Sequence, residues 1–318
     1  MGDIDVGAEL RFGRKTFFVV PEVSLFPEEY MKSYFMKGFE TYFIDDDHYC
    51  PLEEKIHTLF SLFSDIILFI NIDRPIQGIQ WGPFIRNLQQ TYREHAIIGV
   101  MYRRRNSPGE TREIEKMYLY DIGITGGCIP IEYQKNRNLS VISNVLGANQ
   151  ANGQRRHLRS LCDNSYRMNL RFRGCQCNCV LRDISISHFS CVFTGEDPSI
   201  PLHEKIADIQ MNLRGVLVKV NAVLSLKRDI GEEKIHVFVF RSDDDHEGLS
   251  PDNRVRINEI IYNSFHSNMF AFLKSEFDDA HERLMEKMKE QPIPVQWAYP
   301  HERNDAAKKE RKKLPVSL

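Results

Sequence analysis

The chain has no stretch apolar enough to cross a bilayer. Its most apolar run, Ile66 to Ile72, falls far short of the roughly 20 residues that a spanning helix needs. The segment Met1 to Lys15 lacks the basic region followed by an apolar one that marks an export signal, so no membrane insertion and a cytoplasmic location are expected. There is almost no excess of one charge. A net charge of −2 over 318 residues provides no global field for a polyanion, which argues against nucleic acid as the main partner. The 7 cysteines are odd in number and follow no disulfide spacing, which fits a reducing compartment. No GxxxxGK[ST] phosphate loop and no readable set of nucleophile, base and orienting group is present, so an enzyme is not expected.

What the chain has instead is two patterns in succession. From Lys15 to about Asn149, short apolar runs alternate with stretches of helical period, the signature of a parallel sheet covered by helices. Strands are predicted at Thr16–Val20, Thr41–Ile44, Ile66–Ile72, Ala96–Tyr102 and Gly127–Ile131. Helices are predicted at Pro27–Phe39, Leu52–Ser64, Trp81–Glu94, Thr111–Tyr120 and Gln134–Val145. Small and polar residues from Gly147 to Gly153 predict a flexible linker. Beyond it come short alternating strands at Met168–Arg173, Cys175–Ile184, Phe189–Phe193, Ile206–Leu213, Gly215–Leu226 and Ile235–Phe240, separated by turns that include Asp229-Ile230-Gly231. Six such strands predict a small antiparallel barrel.

From Ser250 the pattern becomes helical. Met269, Leu273, Phe277, Ala280, Leu284 and Met288 recur at spacings of three and four, an amphipathic stripe expected to pack on its own domain, with a protein partner or homodimerisation as the second reading. The predicted organisation is residues 1–146, a linker at 147–153, a barrel at 154–241, a helical extension at 242–290, and a disordered tail at 291–318.

The five β-α repeats of the first half resemble the receiver domain of response regulators, a flavodoxin-like sandwich. The resemblance implies a phosphoacceptor aspartate, an acidic pair for Mg²⁺ and a lysine. Aligned on Pro75, this chain has Asn71, Pro21-Glu22 and Ile129 at those positions. An amide accepts no phosphoryl group and a hard cation needs several oxygens, so a pseudo-receiver without metal is expected. A slip of two residues would put Asp73 in the acceptor's place. Asp45-Asp46-Asp47 and Arg103-Arg104-Arg105 are expected as solvated turns, and Cys175, Cys177 and Cys179 as small apolar side chains on one packed strand face.

Two segments carry the functional expectation. Gln154-Arg155-Arg156-His157-Leu158-Arg159 presents arginines at i and i+4, which can fork onto phosphate and stack on purines. Asp183-Ile184-Ser185-Ile186-Ser187-His188 puts an Asp and a Ser two apart on a strand, projecting from one face to pair with a guanine edge. As RxxxR followed by DxSxx(G), they resemble the PilZ domain, a family of bacterial cyclic di-GMP receptors, over roughly Gln154 to Phe240. The fold class is therefore α/β plus β, a receiver-like sandwich followed by a PilZ-like barrel with a C-terminal helix. The resemblance implies that Arg155 and Arg159 grip phosphates and guanines, that Asp183 and Ser185 hold guanine edges, and that Arg156 assists. His188 stands where the family has glycine at a turn that often needs positive φ. The readings are a cyclic di-GMP receptor with an unknown downstream protein, a degenerate scaffold acting through protein contacts, or a phosphorylation-controlled regulator using Asp73. No cofactor and no metal are expected.

Overall fold

The computed structural model describes residues 6–47, 49–105, 107–153, 157–231, 233–242, 244 and 246–290. The first half comprises α1 (Val6–Arg11), β1 (Lys15–Val19), α2 (Glu29–Met36), β2 (Thr41–Ile44), α3 (Leu52–Leu62), β3 (Ile66–Asn71), α4 (Trp81–Thr91), β4 (Ala96–Arg103), α5 (Pro108–Glu115), a π-helical segment (Lys116–Ile122), β5 (Gly127–Ile131) and α6 (Lys135–Ala148). All five strands are parallel in the order β2-β1-β3-β4-β5, the flavodoxin-like arrangement, whose order reverses at β1/β3. Unbroken apolar runs form these strands because both faces are covered. Phe17, Leu68 and Ile70 enter one core while the alternate residues Phe18, Ile67 and Phe69 enter the other.

The second half is β6 (Arg159–Leu161), β7 (Tyr166–Phe172), β8 (Cys175–Ser185), β9 (His188–Phe193), β10 (Lys205–Leu213), β11 (Val216–Ile230) and β12 (Glu233–Arg241), then α7 (Pro251–Glu290). Strands β8, β7, β10, β11, β12 and β9 pair antiparallel in that order, and β9 pairs back onto β8, which closes a six-stranded barrel. Two of its hairpins turn through Arg173-Gly174 and Arg214-Gly215, with φ positive at all four residues, the two-residue geometry that strand twist favours. The sandwich followed by a barrel and a helix is the architecture expected from the sequence.

Four local expectations need correction. Residues 149–153 are not a free linker. They form turns in which Ala151 is buried, the Asn149 amide donates to the carbonyls of Gly126 and Val145, and Arg14 donates to the carbonyls of Asn149 and Gln150. Asp229 and Ile230 are not a turn: β11 runs through them, paired with β12. The cysteines share one strand face but not one environment, since Cys179 is buried, Cys177 half-buried and Cys175 exposed near the hairpin end. The stripe on α7 is buried from Ile257 through Ile261, Phe265, Met269, Leu273 and Phe277 to Ala280, then leaves the core, with Met288 63% exposed. That stripe packs against α2 and α3 of the sandwich as well as against β6, β8 and β11, so the helix joins both halves rather than serving its own domain alone. The expected tail at 291–318 lies outside the described residues.

Candidate functional site

The outer face of the barrel at β6, β8 and β9 gathers most of the expected ligand residues. Along β8, Cys179, Leu181 and Ile184 are buried, as are Phe189 and Cys191 on β9. The step from Leu181 to Ile184 breaks strict alternation, and its cause is a β-bulge. Leu181 lies opposite Cys191 but Asp183 opposite Ser190, so β8 carries one extra residue at Arg182. A bulge shifts the phase of the strand by one. Asp183 and Ser185 are thereby turned out of the barrel lumen, onto the face shared with Arg159 and Leu161 of β6, which pair with Ser185 and Asp183 respectively.

Asp183 is only 7% exposed. Its Oδ2 accepts from the Ser190 hydroxyl at 2.6 Å, and the Arg159 guanidinium stands 3.8 Å away. Its Oδ1 is buried with no hydrogen-bond partner among the described residues. Leaving a buried acceptor unsatisfied costs on the order of 1–3 kcal/mol, more for a charged group, and such an atom calls for an explanation. Ser190 was not predicted, and it becomes legible only once the bulged register of β8 on β9 is known.

Ser185 is fully buried and committed to the turn. Its hydroxyl accepts the backbone N–H groups of Ser187 and His188 at 3.3 and 3.1 Å and lies 3.0 Å from both the carbonyl oxygen and Nδ1 of His188. His188 is the first residue of β9 and is not among the residues with positive φ, so this turn has no need of the glycine expected there. Its ring is anchored by Ser185 and Ser187. Burial holds His188 below the ordinary imidazole range; Asp183 opposes that shift and Arg159 adds to it. Arg155 and Arg156 lie outside the described residues.

The crevice at the carboxyl ends of β1 and β3, where open α/β sheets bind ligands, is differently made. Asn71 donates to the Val20 carbonyl at 3.1 Å and accepts the Asp73 N–H at 3.1 Å. The Asp73 carboxylate accepts the Arg103 N–H and a bond from the Arg105 side chain. Arg103 faces Glu22 at 3.8 Å, and Arg104 pairs with Glu132. The three arginines are therefore tied into local ion pairs. Asp47 likewise pairs with Lys55 at 2.6 Å. No group of three or more His, Cys, Asp or Glu among the described residues could hold a metal ion.

A scan of the sequence against models of known families matches none, and a search of curated proteins also finds no match. Among solved structures the chain is similar to YcgR in complex with c-di-GMP from Escherichia coli, at 15% identity and a TM-score of 0.30, over 42% of this chain and 51% of that one. It is similar to the PilZ domain of YcgR with c-di-GMP, at 16% identity and a TM-score of 0.30, over 43% of this chain and 99% of that one. PlzA of Borreliella burgdorferi in complex with c-di-GMP gives 14% identity and a TM-score of 0.24, over 40% and 48%. The chain spans about half the length of the full YcgR chain. Overlaps this low carry no argument about function.

Proposed function

We propose that the protein is a non-catalytic receptor for cyclic di-GMP, which it binds on the outer barrel face at β6, β8 and β9. The observation that carries this reading is the unpartnered Oδ1 of buried Asp183, an acceptor suited to the N1–H and exocyclic amine of guanine. Arg159, on the same face, supplies a guanidinium for a phosphate or for the face of a purine. Arg155 and Arg156 complete the arm by the resemblance. Ser185 holds the β8–β9 turn, and through it Asp183 and His188 in place. His188 offers a neutral imidazole at the rim.

Calorimetric titration of the purified protein with cyclic di-GMP tests the reading. Saturable binding of one class of nucleotide, absent with GMP and cyclic AMP, is the expected result. No heat with ligand in excess would leave a degenerate barrel that acts through protein contacts. The downstream partner is a protein that reads the arrangement of sandwich and barrel, which α7 packs against together.

A further inference from the structure

A cleft of about 220 Å³ opens next to this face, between the end of α2, the segment leading into β6, the β8–β9 turn and the first turns of α7. Leu158, which precedes Arg159, and Ile186, which follows Ser185, both line it, so it adjoins the two segments that carry the site at Asp183. Its charged and titratable lining groups are Lys37, His157 and Arg254, and none of its lining residues is acidic. Lys37 comes from the sandwich and Arg254 from α7. The Lys37 ammonium donates to the Ser143 hydroxyl at 2.7 Å, which occupies one of its three donors. Arg254 has no ion-pair partner among the described residues. Asn258, one helical turn beyond Arg254, is 5% exposed and also lines the cleft. Its amide makes no hydrogen bond among the described residues. The walls of the cleft include Phe35, Met36, Leu158 and Ile186, and its Lys37 and Arg254 are both basic with no acid among the lining residues, which suits it to an anion.

We propose that this cleft is a phosphate subsite. Lys37 and Arg254 hold a phosphodiester of the nucleotide, and Asn258 donates to one of its oxygens. The proposal rests on the receptor reading above. The cleft is smaller than the roughly 300–1,000 Å³ of pockets that enclose a whole drug-sized ligand, so it takes a fragment while the guanine lies outside, against Asp183. A single ligand then touches the sandwich through Lys37, the barrel through Asp183, and α7 through Arg254. Any differential affinity for the arrangement that brings these three together shifts the protein toward it. The ligand acts as a strap across the seam.

The test uses the full chain, titrated separately with cyclic di-GMP and with pyrophosphate as a bare phosphate probe. Arg254 is exposed, so Arg254→Glu should leave the thermal midpoint of the unliganded protein unchanged. The variant should weaken cyclic di-GMP binding by about tenfold or more, the loss that accompanies one charge-assisted contact. Asn258→Ala should weaken it less. Wild-type protein should also bind pyrophosphate weakly, and Arg254→Glu should abolish that binding. If wild type binds cyclic di-GMP and Arg254→Glu binds it equally well, the subsite is overturned while the receptor reading stands. If wild type binds no cyclic di-GMP, the receptor reading falls, and pyrophosphate decides the cleft. Binding lost in Arg254→Glu retains an anion site for another phosphate compound, and no binding removes the subsite too.

Discussion

Asp73 in the sandwich and Asp183 on the barrel each meet an arginine near a strand end, and they are in opposite states. In the sandwich crevice, Asp73 has both oxygens engaged by Arg103 and Arg105, and Asn71 is bonded on both sides of its amide. On the barrel, Asp183 has one oxygen bonded to Ser190 and the other without a hydrogen-bond partner among the described residues. A carboxylate saturated by its own protein stabilises the fold and has little left to offer a ligand. A buried carboxylate with an open lone pair costs stability until something donates to it. The contrast separates a crevice closed by its own ion pairs from a face with an open acceptor more sharply than residue identity does, because each place has its Asp and its Arg.

The sharpest way to break this comparison is ligand affinity. Asp183→Ala and Arg159→Ala should each weaken cyclic di-GMP binding by about tenfold or more, since a hydrogen bond to a charged group contributes about 1.5–3 kcal/mol. Asp73→Ala should leave affinity within twofold, roughly 0.4 kcal/mol. Calorimetry on the three variants checks it, and equal losses at Asp73 and Asp183 would erase the distinction drawn above.

Stability should show the reverse order at a smaller scale. Asp73→Ala leaves the Arg103 N–H and the Arg105 guanidinium without their acceptor, and should destabilise by about 1–2 kcal/mol, discounted for partial exposure. Asp183→Asn keeps an acceptor for Ser190 and removes an incompletely paired buried charge, so its unliganded stability should stay within about 1 kcal/mol of wild type. Urea unfolding of both variants reads the difference directly.

How far the sequence revealed this follows from the range of the interactions involved. The parallel strands were legible because two-sided burial writes an apolar run into the chain, and Ile66–Ile72 was expected where β3 spans Ile66–Asn71. The pairing of Arg159, Asp183, Ser185 and His188 was legible through motif order. The bulge at Arg182 was not, because it exists only in the register of β8 against β9. Nor was β6, three residues too short to alternate. Gly147–Gly153 has the composition of a flexible linker, yet Arg14, far away in the chain, closes onto it. The stripe on α7 was legible as a helix face, whereas its shared packing on sandwich and barrel was decided by the tertiary arrangement.

Acid should weaken the barrel site through His188. Burial depresses its folded pKa below the unfolded value near 6.5, so the unfolded chain binds the proton more readily. The stability that neutral His188 contributes is present above that unfolded value and is lost as pH falls through the depressed folded one. His236 and His266 shift in the same direction, also through burial, and add to the trend. Thermal midpoints of wild type should therefore fall from pH 7 to pH 5, and His188→Gly should show a shallower decline. Parallel declines in the two proteins would assign the effect to the other histidines alone.

The smallest expected effect is none. Incubation with acetyl phosphate and Mg²⁺ should leave the sandwich unmodified, because attack on phosphorus needs a free carboxylate oxygen beside a bound cation. Asp73 has both oxygens occupied, and the neighbouring crevice residues Asn71 and Arg103 bring an amide and a cation rather than further carboxylates. Glu22, the one other acid lining the crevice among the described residues, already faces Arg103. Intact-mass spectrometry should find no phosphoryl adduct under conditions that modify an active receiver. Freeing Asp73 with Arg105→Ala should still yield none, since the amide at Asn71 leaves the cation site incomplete. A stable adduct on Asp73 in wild type would show that its ion pairs open readily. It would also move the phosphorylation-controlled reading ahead of the division between a saturated crevice and an open barrel face.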